Sequence, residues 1–504
     1  MSGASCSRPW TGSRASDGVA TVFGLCPAPS STVGGSGVPV TDSVFPWTDL
    51  RVRTALGLDP EGATDQVYRR ISTDTREAGA GDLFVALQGD RFDAHEFLDR
   101  ALAAGCSGLV IDARGPVPQQ GDFQVYRVDD TLRALGDLAR FRRREADVPV
   151  VGITGSSGKT TAKDLTLGAI SGFLTAHGTV GNLNNRIGVP LTILAMAPDA
   201  SALVLEMGTN QPGEIRELAR VAEPTVGVLT TVSETHVELL GDLEGVLDEK
   251  LDLARAVPDS GVIIVGDDPS VLAERTRLLR SDVRVGGLSE RADAGLRPLD
   301  LRLRADGTYA FSWNGQEIDL KVPGRHGVYN ALLALAVAQC LGVPAQTAAR
   351  GVSRVGPRGM RGETTLARGA SVILDCYNAN PQSVRAALQH LEERRAEGRR
   401  IAVLGSMLEL GERSGELHRK VLAEALSAGV DRFLLVGAFA EAAREEKDGR
   451  IRRFPDLPAL GRALSAEVQP GDTVLFKASR GVRLESAFQT WADGNGDGQR
   501  EGEG

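Results

Sequence analysis

A chain of 504 residues is too long for one hydrophobic core and calls for roughly three domains. Its 42% apolar content is that of ordinary globular protein, and a net charge of −9 with a pI near 5.4 argues against a nucleic-acid or anionic-membrane binder. No apolar run reaches bilayer length, and five scattered cysteines (Cys6, Cys26, Cys106, Cys340, Cys376) lack metal-site spacing and read as reduced thiols of a cytoplasmic protein.

Residues 1–44 are rich in Gly, Ser and Pro without sustained periodicity, and read as a disordered extension; 492–504 read as a disordered tail. A small α/β unit is expected over 45–147. It contains the stretch Ser72-Thr-Asp-Thr-Arg76 and a helix around Glu96–Ala104 that ends at Gly105, with "READVP" as the linker out of it. The next unit, 148–355, alternates helical patterns with the apolar runs "VPVVGIT", "SALVLEMG", "TVGVLTTV" and "GVIIVG", the signature of a parallel sheet buried on both faces. A hairpin is expected at Asn314-Gly315, and a buried helix at "NALLALAVAQCLGV". "RVGPRGMRG" reads as a second linker. The unit 356–491 repeats the alternation in "SVILDCY", "RIAVLGS", "RFLLVG" and "DTVLFKAS", which points to a doubly wound, Rossmann-like sheet. The fold class is therefore α/β in three domains, with ligands expected beyond the carboxyl ends of the strands.

Within the central unit, "VVGITGSSGKTTAKDL" runs from strand through Gly155-Ser156-Ser157-Gly158-Lys159-Thr160-Thr161 into a helix. Such a turn aims backbone N–H groups and a helix N-terminus at an anion. The longer Walker A pattern wants glycine where Ile153 stands, so the match is to the shorter T-G-x-x-G-K-T-T form. Lys159 is positioned for the β/γ-phosphates and the Thr160 hydroxyl for Mg²⁺; the bland alternative is an ordinary Gly/Ser turn. Only seven of the 57 basic residues are lysines, which makes each a candidate for chemistry that needs a primary amine.

Other candidates stand on weaker signals. Glu206 closes a strand and could bind Mg²⁺ or simply be solvated. His236, alone, is a structural loop histidine, and Lys250 in "EGVLDEKLDLARA", alone, is a surface lysine. Asn330 in "GRHGVYN" could reach a base or ribose, or cap the helix that follows. Asp375, Tyr377, Asn378 and Lys477 lie at strand ends of the last unit, where Asn-Ala-Asn-Pro also suits a turn and an N-cap.

The order of these segments resembles the Mur ligase family, from about Val52 to Glu485. "STDTR" with "GDLFVALQGDRFDAHEF" is similar to a UDP-binding domain. "TGSSGKTT", "GNLNNRIGVP", "EMGTNQPGEI", "ETHVELLGDLEGVLDEK" and "PGRHGVYNALLALA" are similar to the family's central ATPase. "LDCYNANPQSVRAAL", "VLGSMLELGERSGELH" and "FKASRGVRLE" are similar to the carboxyl-terminal domain of the branch that adds D-alanyl-D-alanine. The resemblance implies an ATP- and Mg²⁺-dependent ligase that joins D-alanyl-D-alanine to UDP-N-acetylmuramoyl-tripeptide through an acyl phosphate. It would be a cytoplasmic monomer without nucleic-acid or membrane partners.

By that resemblance Lys159 and Gly155 to Thr161 would hold ATP, with Asn330, Arg361 and Asp375 contacting the nucleotide. Thr160, Glu206 and His236 would ligate Mg²⁺, joined by Lys250 as a carbamate. Ser72, Asp74, Thr75 and Arg76 would bind the uridine portion, Asn184 and Asn185 the sugar-peptide, and Tyr377, Asn378 and Lys477 the incoming dipeptide. Five positions depart from the family pattern. Thr231, Gly266 and Gly327 stand where Asn is usual, and Cys376 and Ser406 where Asp is common. Competing readings are the sister enzyme that adds the third amino acid, a folylpolyglutamate-type synthetase, a catalytically dead homologue and a P-loop nucleotide switch.

Overall fold

The computed structural model describes residues 45–494 apart from positions 90, 91, 114, 116, 117, 119, 120 and 236. The expectations for 1–44, for the end of the chain and for His236 therefore lie outside the described residues.

The chain is α/β throughout, built on one four-stranded and two six-stranded main sheets. The first sheet is all parallel, in the order Ile71–Ser72, Leu83–Val85, Gly108–Asp112, Gln124–Val128. The helix expected around Glu96 is shorter, Leu98–Ala103, because Ala94–Phe97 winds as a 3₁₀ turn capped by Asp93. Gly105 follows it with φ +98°.

The "READVP" stretch is less a linker than the end of a docked helix. Thr131–Ala146 is capped by Asp130, whose carboxylate accepts from the Leu132 and Arg133 amides. Its Arg143 donates to the Ala222 carbonyl, and Arg140 and Arg144 hold Glu223. One apolar core consequently runs from Trp47 and Tyr68 through Leu135 and Leu138 to Leu205 and Leu253, joining the first sheet to one face of the second.

The second sheet is parallel in the order Ala176–Gly178, Ala202–Glu206, Val150–Thr154, Val226–Leu229, Val262–Gly266, Val283–Gly286. Its central strands are buried along their whole length, as continuous apolar runs require. The strand order reverses at Val150–Thr154, so the turns after residues 154, 206 and 229 open side by side at one edge, where a ligand crevice forms. Leu299–Leu303, Tyr309–Trp313 and Gln316–Asp319 add an antiparallel sheet. Trp313 pairs with Gln316 across Asn314 and Gly315, both at positive φ, as the hairpin reading predicts.

The third sheet runs Glu363–Ala367, Ala370–Asp375, Thr473–Lys477, Arg400–Leu404, Arg432–Val436, Ile451–Phe454, antiparallel in the first pair and parallel thereafter. Its two cores, around Ile373, Leu404 and Leu435 and around Val403, Phe476 and Trp491, draw on this part of the chain alone. Among the described residues no helix is long and apolar enough to cross a membrane.

Candidate active site

The carboxyl edges of the second and third sheets face each other across a cleft of about 940 Å³. The phosphate-loop motif forms one wall. Gly155 stands at φ +149°, and a Cβ there would meet Thr230 Oγ1 at 2.0 Å. Gly158 stands at φ +82°, and its Cβ would meet Asn330 Oδ1 at 2.7 Å. Two glycines are thus demanded by backbone angle and by close approach together. Gly158 also starts the helix Lys159–Ile170 without any side-chain cap, which leaves the helix's first N–H groups to an anion in the cleft. Lys159 Nζ folds over the loop onto the Gly155 carbonyl at 2.6 Å, and burial lowers its pKa, with Glu206 opposing and Arg361 adding to the shift.

Two oxygens at this loop are candidates for holding a metal. Thr160 Oγ1 and Glu206 Oε2 are buried and have no hydrogen-bond partner among the described residues. Glu206 Oε1 accepts from Asn184 Nδ2 at 2.8 Å, which fixes the carboxylate's orientation. Two unsatisfied hard oxygens beside a phosphate loop fit Mg²⁺. Among the described residues no three His, Cys, Asp or Glu side chains gather as a ready-made metal cage.

Lys250 is not at the surface. It lies within the helix Leu243–Ala256 and is 1% exposed, which overturns its reading as a surface lysine. The acidic residues around it in sequence are engaged elsewhere. Asp248 meets Arg255, and Asp252 meets Arg216 and Arg255. The Glu249 carboxylate accepts from Thr209 Oγ1, the Gly213 amide and the Ile215 amide at 3.0, 2.6 and 2.9 Å. Burial and the nearby Lys159 ammonium lower the Lys250 pKa well below that of a free lysine, against weaker pulls from Glu249 and Glu214.

Asn330 does not cap its helix. The helix begins at Gly324, so Asn330 sits in its second turn, donating to the His326 carbonyl at 2.9 Å with its amide against Gly158. Just before the helix Gly188–Leu194, Asn185 Oδ1 accepts from the Ile187 and Gly188 amides at 3.1 and 2.8 Å, and Asn184 lies along Gly208.

The facing wall comes from the third sheet. Asp375 and Lys477 end adjacent strands in register, and their side chains pair at 3.1 Å. Lys477 is 1% exposed and also donates to the Asn378 carbonyl, so its ammonium is held by the loop after the neighbouring strand even though the residue lines the cleft. Arg361 lies 4.0 Å over the Tyr377 ring. The cleft so gathers Ser156, Ser157, Gly158, Lys159, Thr161, Asn184, Asn185, Glu206, Asn330, Arg361, Asp375, Tyr377, Asn378 and Lys477. Ser72, which ends the first strand of the first sheet, and Asp74, Thr75 and Arg76 just after it do not line this cleft. There Asp74 accepts from the Arg76 guanidinium, which lowers its pKa.

The structure gives the unusual residues reasons. A Cβ on Gly266 would stand 2.4 Å from the Thr230 carbonyl, and one on Gly327 would stand 2.7 Å from the Val322 carbonyl. Thr231 Oγ1 donates to the Asp268 carbonyl and accepts from Gln382 Nε2. Cys376 is buried against the Phe476 carbonyl, with its thiol pKa pushed up to about 12 by desolvation, and Ser406 Oγ accepts from the Ala438 amide. Asn380 caps its helix as the Asn-Ala-Asn-Pro string suggests, but nothing in the sequence signals its bond to Ser157, nor the contacts of Glu249, Gln382 and Arg413. The last pairs with Glu234 at 2.8 Å.

Comparison with known proteins decides the family. Residues 153–338 match the Mur ligase middle domain, and residues 360–480 match the Mur ligase glutamate ligase domain. The UDP-N-acetylmuramoyl-tripeptide–D-alanyl-D-alanine ligase of Bacillus subtilis is 37% identical, over 83% of this chain and 92% of that protein. The chain belongs to the Mur ligase family. Among solved structures, MurF from Acinetobacter baumannii superposes with a TM-score of 0.81 at 29% identity, covering 90% of this chain and all of that one. MurF from Thermotoga maritima, solved in complex with ADP, gives 0.75 at 28%, covering 84% and 97%. The three-domain Mur ligase architecture accounts for the three main sheets.

Proposed function

We infer that this chain is an ATP-dependent, ADP-forming ligase that joins D-alanyl-D-alanine to UDP-N-acetylmuramoyl-tripeptide, the last cytoplasmic step in making the peptidoglycan precursor. The observation that carries this reading is a phosphate loop and a donor loop facing each other across one cleft, in a chain whose relatives at this identity are ligases of that specificity.

A carboxylate is a poor electrophile, and phosphorylation supplies its leaving group. The tripeptide's terminal carboxylate attacks the γ-phosphorus, the bond to the β-phosphate oxygen breaks, and ADP leaves. The dipeptide amine then attacks the acyl carbon, phosphate departs with its electron pair, and the amine gives up a proton. Lys159 neutralises charge on the phosphates and the uncapped helix N-terminus receives them. Asn330, Arg361 and Asp375 serve the nucleotide. Ser72, Asp74, Thr75 and Arg76 serve the uridine portion, Asn184 and Asn185 the sugar-peptide, and Tyr377 and Asn378 the dipeptide. Lys477 acts on the dipeptide through the loop that it holds.

Thr160 and Glu206 would hold Mg²⁺, with His236 as a further ligand. When bound, the ion would offset the charge on the transferred phosphoryl group. Lys250 acts as a carbamate. A buried amine that pairs with no carboxylate among the described residues is poised to be neutral, and a neutral amine can take up CO₂ to become an anionic oxygen ligand. The domain spans are 45–147, 148–355 and 356–491, and the protein works as a cytoplasmic monomer. Incubation with ATP, Mg²⁺, tripeptide substrate and D-alanyl-D-alanine should give pentapeptide by mass, with phosphate release dependent on both co-substrates. Nucleotide hydrolysis indifferent to them would refute the ligase in favour of a switch.

A further inference from the structure

Besides the Arg413–Glu234 pair, the third domain meets the phosphate-loop wall through the start of one helix. Pro381–Glu393 begins with a capping box: Asn380 Oδ1 accepts from the Ser383 amide at 2.8 Å, and the Asn380 amide donates to Ser383 Oγ at 3.0 Å. The cap fixes the carboxamide, so its other end has one direction open. In that direction Asn380 Nδ2 donates to Ser157 Oγ at 3.0 Å, inside the phosphate loop. Ser157 is itself anchored from below, since Thr230 Oγ1 donates to its carbonyl at 2.6 Å. In the first turn of the same helix, Gln382 Nε2 donates to Thr231 Oγ1 at 2.9 Å, and Thr231 is tied in turn to the Asp268 carbonyl.

We propose that Asn380 and Gln382 are positioning residues for ligation: their bonds to Ser157 and Thr231 hold the donor loop in register on the phosphate loop. Two bonds from one helix end fix both its distance and its roll. Tyr377 and Asn378 lie immediately upstream, so their loop is gripped by Lys477 at its start and by Asn380 at its end. These two bonds, to Ser157 and Thr231, join neutral groups, so they are directional enough to set register and weak enough to release for substrate entry and product exit. The inference rests on the ligase reading above. Two nucleophiles compete for the acyl carbon: attack by the dipeptide amine gives pentapeptide and phosphate, whereas attack by water gives back the tripeptide carboxylate and phosphate. Loose register therefore raises the phosphate released per pentapeptide.

Full-length variants test this at saturating Mg²⁺. Asn380→Ser keeps a capping oxygen but is too short to reach Ser157. Ser157→Ala removes the hydroxyl from the other side and keeps the loop's backbone N–H. Thr231→Val removes the acceptor for Gln382, and Thr231→Ser restores it. The wild type should release one phosphate per pentapeptide. Asn380→Ser, Ser157→Ala and Thr231→Val should lower kcat about tenfold, change KM for ATP by less than about twofold, and raise that ratio clearly. The double variant Asn380→Ser/Ser157→Ala should be no worse than either single, and Thr231→Ser should behave as wild type. Ratios that stay at one with additive losses, beside a wild type that ligates, overturn the inference alone. A wild type that releases phosphate without needing both co-substrates overturns the ligase reading and this inference with it.

Discussion

Lys159 and Lys477 line the cleft and Lys250 lies buried near Lys159, and each is handled differently by its surroundings. Lys159 is half-buried on the loop, Lys250 is buried among groups already paired, and Lys477 is buried against a carboxylate. Lys159→Ala should abolish phosphate release and leave the thermal midpoint within about a degree, because it removes a charge without opening a core. Turnover near wild type would remove the phosphate-loop assignment. Lys250→Ala should lose at least about a hundredfold in kcat, with partial recovery in acetate or formate; Lys250→Arg should be as inactive, since arginine cannot form a carbamate. Substantial activity in the arginine variant would sink that role. Gly266→Asn, which restores the residue usual in the family, should destabilise by about 1–3 kcal/mol, because its Cβ meets the Thr230 carbonyl. An unchanged melting temperature would show that the strand end yields.

At the scale of elements, what the sequence displays is what repeats or punctuates locally. The buried parallel strands announce themselves as unbroken apolar runs, the hairpin by Asn314-Gly315, and the helix start at Pro381 by the preceding asparagine. The helix that carries Asn330 starts at Gly324, earlier than the sequence suggests, because Gly324 and Gly327 make its first turn look like a loop. The cross-domain partners were illegible for a plainer reason: Asn380 is 223 residues from Ser157, and Arg413 is 179 from Glu234, with no periodicity to connect them. Glu249 was hidden too, since only the folded turn brings the Gly213 and Ile215 amides onto its carboxylate. The Asp375–Lys477 pair offers a test at this scale. Lys477→Met should cost about 1–3 kcal/mol, because it leaves a half-buried carboxylate without its partner at the carboxyl edge of the sheet. Equal denaturant midpoints for variant and wild type would show that the pair contributes no net stability.

For the whole molecule, the residues proposed for the uridine portion and those proposed for the dipeptide lie on different sheets, which predicts exchangeable specificity. Replacing residues 356–490 with those of a diaminopimelate-adding relative should weaken D-alanyl-D-alanine use and leave affinity for the UDP-linked substrate unchanged. A chimera that keeps its dipeptide preference would locate specificity elsewhere. The distribution of apolar cores has a consequence for how the molecule comes apart. One core runs without interruption from Trp47 to Ala292, whereas the cores of the third sheet stop at its own elements. Cooperativity follows shared packing. Heating should therefore give two calorimetric transitions, with the first two sheets melting as one body and the third as another. ADP and Mg²⁺ should draw the two transitions together, because a ligand gripped from both walls is lost when either one melts.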